Sequence, residues 1–184
     1  MNMKTILRAL AVLLTLSLLA VPALAAEEPE IDYDALDNET AVYVYLTEEM
    51  GLNNAAACGV MANIQHESGF QPDIWGDGGT SLGLCQWHAG RCRNLQRFCR
   101  ENGYDVESVY GQMAYLQYEL ETSYPYVLEA LESAEDTPQG AYDAAWYWCY
   151  WFEIPADRWN QADSRGASAR DTYYPWYADF QLEA

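Results

Sequence analysis

The chain has 184 residues, with 28 acidic against nine basic side chains and a net charge of −19. An excess of that size and sign excludes a nucleic-acid-binding protein, and one held to anionic membranes or polymers by charge, because both need cationic patches. The length and a hydrophobic share of 51% are enough for one domain with a real core.

In chain order, Lys4 and Arg8 precede an apolar run over residues 9–21, and Pro22-Ala23-Leu24-Ala25 follows as an A-x-A cleavage site. This predicts a secretory signal peptide over residues 1–25 and export of the remainder. The run falls short of the ~20 apolar residues that a bilayer span requires, and no membrane contact is expected after cleavage. Without Lys4 and Arg8, seven arginines face the same 28 acids, a net of −21. Residues 26–37 are acidic, contain Pro29 and show no periodicity, which predicts a disordered linker. The domain proper is expected over residues 38–184.

Asn38 is read as the cap of a helix running to about Met50, with Gly51 as its stop. Asn53 or Asn54 caps the next helix, over residues 55–66. Its side chains are small and apolar nearly all round (Ala55, Ala56, Ala57, Cys58, Val60, Met61, Ile64), which predicts a buried central helix. Glu67 stands at its exit. Residues 70–87 are rich in turn formers and read as a loop or short hairpin. Helices are then expected over residues 89–102, 109–121 and 125–133. Thr137-Pro138 is a cap followed by a first-turn proline and opens a helix to Phe152; a last helix covers residues 163–180. The fold class is mainly α, with about seven helices and one small β or loop insertion.

The five cysteines are Cys58, Cys85, Cys92, Cys99 and Cys149, so at least one is unpaired or pairs between chains. Cys92 and Cys99 lie seven apart on one predicted helix, about 10 Å along its axis, too far for a mutual disulfide. No pairing is assigned. With two histidines and no C-x-x-C, no metal site is read.

The stretch that carries chemistry runs from Asn63 to Trp87. Glu67, at the end of a buried helix, faces a glycine-rich segment (Gly76, Gly78, Gly79, Gly83) that closes on Gln86 and Trp87. Apolar surroundings and the negative end of a helix dipole favour a carboxyl that keeps its proton, as a general acid must. Asp73 and Asp77, in the facing segment, are the candidates for a second carboxylate; each is also an ordinary turn aspartate. Cys85 and His88 are close in sequence, but a thiol–imidazole pair is usually assembled from distant segments.

The blocks Glu67-Ser68-Gly69-Phe70-Gln71-Pro72 and Ser81-Leu82-Gly83-Leu84-Cys85-Gln86-Trp87, followed by Arg91 and by Gln112-Met113-Ala114-Tyr115-Leu116 running into Glu119-Leu120, resemble the phage-tail lysozyme family of the lysozyme-like superfamily. They are more loosely similar to goose-type lysozymes and soluble lytic transglycosylases. The resemblance covers roughly residues 38–180. It implies a lysozyme-like fold and, with the export predicted from the signal peptide, a secreted, cell-wall-associated enzyme. The enzyme would cleave peptidoglycan glycan strands between N-acetylmuramic acid and N-acetylglucosamine, with Glu67 as general acid and no metal or organic cofactor. It implies substrate-binding roles for Gln86 and Tyr115, with Ser81 and Trp87 in the same wall of the cleft. The chain is expected to act as a monomer. Two alternatives stay open: a lytic transglycosylase forming anhydro-muramic products without a second carboxylate, and a catalytically silent glycan-binding domain. The signal peptide departs from a phage-tail setting and suggests a secreted bacterial protein.

Overall fold

The computed structural model describes residues 31–182. The predicted signal peptide and the start of the predicted linker lie outside the described residues. The linker's last residues differ from expectation. Tyr33–Ala35 form a 3-10 turn capped by Asp32, and the Tyr33 ring packs on Tyr45 and Tyr110, with centroids 5.9 and 5.1 Å away. One aromatic side chain with apolar partners is enough to dock an otherwise polar segment.

Helix α1 (Asn38–Val44) starts one residue earlier than read, because Asp37 is its cap: its carboxylate accepts from Thr40 N at 3.1 Å and from Thr40 Oγ1 at 2.7 Å. It widens into a π turn, Tyr45–Glu49, and the chain turns at Gly51. Helix α2 (Asn54–Ser68) is capped by Asn53, which accepts from Ala56 N at 2.9 Å. Residues 55–64 of α2 are buried without a break, so the expected central helix is the centre of the fold. Helix α6 (Pro138–Trp148) lies along it, capped by Thr137. Around this pair pack α1, α7 (Arg158–Ser168) and the short α8 (Tyr174–Tyr177). Helices α3 (Gly90–Asn102), α4 (Val109–Ser123) and α5 (Pro125–Glu132) form a second group, joined to the first through α1 and α6. The result is mainly helical with a three-stranded antiparallel insertion, as expected.

Gly59 is what lets α6 approach α2. A Cβ there would stand 2.7 Å from Ala144 Cβ and 2.8 Å from Ala145 N. Asn63, one turn on, uses the same closeness: its Nδ2 donates to Gly59 O at 3.0 Å and to Ala145 O at 3.1 Å. Gly59→Ala is therefore expected to lower stability by about 1–3 kcal/mol through overpacking. A urea denaturation midpoint equal to that of the wild-type chain would contradict this account of the helix pair.

The insertion comprises β1 (Trp75–Gly76), β2 (Ser81–Leu82) and β3 (Trp87–His88), with Trp75 opposite Leu82, and Leu82 opposite Trp87. Strands of two residues carry little stability of their own, and side chains strap this unit down. Gln112 of α4 accepts from Leu84 N at 2.8 Å and donates to Pro72 O at 2.6 Å and Val106 O at 2.7 Å. Gly83, at φ +71, leaves the space that the Gln112 side chain fills. All five cysteines are buried and none is in a disulfide.

Candidate active site

Glu67 stands in the last turn of α2, where expected. Two features fix the helix end under the strand insertion. Gly69 closes α2 in the left-handed conformation at φ 60°, and the buried Ser68 donates to Leu84 O at 3.0 Å. The immediate partner of Glu67 is not the apolar wall read from the sequence. Arg165, from α7 and only 5% exposed, places Nη1 2.6 Å from Glu67 Oε1. The same nitrogen donates to Asn63 Oδ1 at 3.1 Å. Asn63 and Glu67 are four apart and share one face of α2, so a single guanidinium grips both. Arg165 Nε has no acceptor among the described residues. A buried unpaired donor is uncommon in proteins.

A second carboxyl comes from an unread position. Glu153 ends the π turn Cys149–Glu153 that continues α6, and accepts from Trp148 Nε1 at 3.0 Å. Burial first, and the charge of Glu67 second, push its carboxyl up to about 8, against the opposing pull of Arg91, Trp148 and Arg165. The residue after it, Ile154, has φ 56°. A β-branched side chain there is a strained one.

Behind these groups lies a third carboxylate, Glu119 of α4, 4% exposed. It accepts from Arg91 Nε at 2.9 Å and Nη2 at 2.8 Å, from Trp87 Nε1 at 2.9 Å and from Tyr115 Oη at 3.1 Å. Arg91 also donates to Phe152 O at 3.3 Å, and its guanidinium lies 4.3 Å from the Phe152 ring centroid. The sequence reading put Trp87 and Tyr115 against substrate. In the structure both are interior, 0% and 2% exposed. Their polar tips are satisfied by Glu119, and their rings are 5.5 Å apart in an edge-on arrangement.

The remaining candidates sit on the insertion. Asp77 is exposed with φ 47°; its Oδ2 accepts from Ser81 Oγ at 2.6 Å and lies 3.6 Å from His88 Nδ1. Ser81 is buried and within 3.1 Å of His88 Nδ1. These three form a local group at the tip of the sheet. Gln86, at φ 42°, turns its amide back to Gly83 O at 3.1 Å and Ile74 O at 3.3 Å. Asp73 is exposed, with no side-chain hydrogen bond or ion pair among the described residues. Among the described residues, four of the five non-glycine residues at positive φ, Phe70, Asp77, Gln86 and Ala89, fall between residues 70 and 89. Such conformations persist only where surrounding structure enforces them. His88 turns to Ser81 and Thr80 and makes no bond to Cys85, whose thiol burial pushes well up, so no thiol–imidazole pair is formed.

Neither Glu153 nor Arg165 stands in the blocks that identified Glu67. Arg165 left a readable signal nonetheless: Ala162, Gly166 and Ala169 flank it at helical spacing and mark a buried stripe with one cation in it. Glu153 left only a helix-end position before Ile154-Pro155.

The family model for phage tail lysozyme matches residues 37–177. No curated protein matches the chain. The match takes in α1 to α8, the strand insertion, Glu67, Glu119 and Glu153, so the chain belongs to the phage tail lysozyme family, a family of lysozyme-like cell-wall hydrolases.

Proposed function

We propose that this chain cleaves peptidoglycan glycan strands between N-acetylmuramic acid and N-acetylglucosamine, with Glu67 delivering the proton to the glycosidic oxygen. The observation that carries the reading is the placement of Glu67: the end of the buried central helix, beneath a strapped, glycine-rich strand insertion. As the proton reaches the glycosidic oxygen, the bond from the muramic C1 breaks and positive charge develops on the sugar ring. Either water or the sugar's own hydroxyl then adds to C1, and its proton returns to the carboxylate. Gln86 and the backbone of residues 73–86 supply hydrogen-bonding groups along one side of the site. Asp77 remains the insertion's own candidate for orienting a water, Asp73 a weaker one. The predicted signal peptide fits an exported protein that acts on wall material outside the cell.

The test is digestion of purified peptidoglycan by residues 26–184, with products read by mass spectrometry. Reducing muropeptides are expected. Anhydro-muropeptides would instead make the chain a transglycosylase, with the sugar hydroxyl as the attacking group. Binding without any cleavage, across walls of several compositions, would overturn the enzyme and leave a glycan-binding domain.

A further inference from the structure

Proton delivery by Glu67 needs one carboxyl oxygen to carry the proton and face the glycosidic oxygen. A free carboxyl has two equivalent oxygens, and the side chain that bears it has several torsions to order. The structure treats the two oxygens of Glu67 differently. Arg165 Nη1 stands 2.6 Å from Oε1. No hydrogen bond reaches Oε2 among the described residues. The side chain of Glu67 is 20% exposed and that of Arg165 6%, so substrate can meet the carboxyl and not the guanidinium behind it.

The guanidinium is itself held. Asn63 precedes Glu67 by one turn on the same face of α2. Its amide nitrogen is committed to Gly59 O at 3.0 Å and to Ala145 O at 3.1 Å. Its Oδ1 is thereby turned to Arg165 Nη1, at 3.1 Å. A line of contacts runs from the α2–α6 crossing through Asn63 and Arg165 to one oxygen of the acid. Holding α7 in place does not require it. Ala162 of α7, and Ala169 just past its end, are buried, and a Cβ on Gly166 would stand 2.8 Å from the Tyr142 ring of α6. A buried ion pair seldom holds helices together better than apolar packing does. The guanidinium is also turned so that one nitrogen serves both Glu67 and Asn63 while Nε is buried without an acceptor among the described residues. That orientation is costly, and it follows if Nη1 is where the side chain is needed.

We propose that Arg165 is a positioning residue of the reaction: it holds Oε1 of Glu67 and so assigns the proton to Oε2. This rests on the cleavage reading above. A proton on Oε1 would stand against a guanidinium nitrogen 2.6 Å away; a proton on Oε2 meets no such obstacle. The contact serves both forms of the acid. When Glu67 is protonated, Oε1 is the carbonyl oxygen and keeps its place against Nη1. As the C1–O bond breaks, the proton on Oε2 passes to the glycosidic oxygen. The carboxylate left behind then has a fixed, buried cation beside it, where negative charge has developed. The water or sugar hydroxyl that bonds to C1 returns a proton to Oε2. No proton is gained or lost over the cycle, and Arg165 stays charged throughout.

The experiment compares kcat and KM on peptidoglycan for the wild-type chain, Glu67→Gln, Arg165→Met and Arg165→Lys, at a temperature where a melt shows each of them folded. Arg165→Met removes the charged fork and keeps a long side chain. It should lower kcat by about fivefold to a hundredfold, as a misplaced catalytic group does, and leave KM within about twofold. Arg165→Lys keeps a charged donor on an unforked stem and should exceed Arg165→Met in kcat by about threefold or more. Three results overturn the proposal: a kcat loss below about fivefold in Arg165→Met, a loss carried by KM, or an Arg165→Lys no better than Arg165→Met. Should Arg165→Met not fold, Arg165→Lys is read against wild type. A kcat lowered by about twofold or more at unchanged KM is then expected, and a smaller loss overturns the proposal. Any overturning result, with an active wild type and a Glu67→Gln that has lost turnover, leaves the cleavage reading intact and makes Arg165 a structural cation. A wild type that cleaves nothing overturns both.

Discussion

Glu67→Gln is expected to lower turnover on peptidoglycan by about 10²–10⁴-fold, the usual contribution of a positioned general acid. The substitution keeps the volume and the hydrogen-bonding outline of the side chain and removes its ability to carry a proton. The stability change should be smaller than the roughly 3–5.5 kcal/mol that this rate loss represents. Arg165 Nη1 keeps an amide oxygen to donate to, and Asn63 Oδ1 remains in place. What is lost is the charge opposite a guanidinium that is 6% exposed, and a charge-assisted hydrogen bond of this kind contributes about 1.5–3 kcal/mol. A melt and a turbidity assay on the same preparation separate the two effects. Turnover within about fivefold of wild type, in a folded variant, would remove Glu67 from the chemistry, because no general acid contributes so little.

The sequence made the frame legible because the frame is set locally. Asn53, Ser108 and Thr137 each accept from a backbone N–H at the start of a helix. Gly51, Gly69 and Gly103 each end one at positive φ. The all-round apolar character of residues 55–64 could only be the centre. Glu67 was legible for the same reason: it belongs to the helix that precedes it. The rest of the site was not, because it is assembled across the chain. Arg165 meets Glu67 only after α7 has packed on α2. The π turn that rotates Glu153 inward has no composition signature distinct from the helix it extends. The aromatic run from Trp146 shows the same limit. It reads as one stripe, yet Trp148 and Phe152 are core while Trp151 and Trp159 are 40% and 62% exposed. Trp87 and Tyr115 were placed against substrate because an aromatic with a polar tip suits a sugar as well as it suits a core. What decides between them is where the tip finds its partner. For Tyr115 that partner is four residues away on the same helix face, in Glu119.

Glu119→Ala is expected to destabilise the protein by about 3–5 kcal/mol, the range found when one partner of a buried ion pair is removed. Its carboxylate is the common acceptor for four donors, from Trp87 in β3, from Arg91 in α3 through two nitrogens, and from Tyr115 in its own helix. Alanine would leave a half-buried cation with only Phe152 O to donate to among the described residues, and an indole and a phenol without their acceptor. Glu119→Gln, which keeps an acceptor and loses the charge, should lie between the two, about 1.5–3 kcal/mol below wild type. Urea denaturation of the three proteins orders them, and Glu119→Ala within about 1 kcal/mol of wild type would contradict the network, since one ordinary hydrogen bond contributes that much alone. The same series distinguishes scaffold from substrate contact. If Trp87 and Tyr115 served the glycan directly, removing Glu119 would act mainly on KM. As they are placed, the loss falls on stability, and activity follows only as the wall carrying β3 loosens from α3 and α4. That wall is what confines Glu67, so the most destabilising substitution near the site is expected at a carboxyl that takes no part in the chemistry.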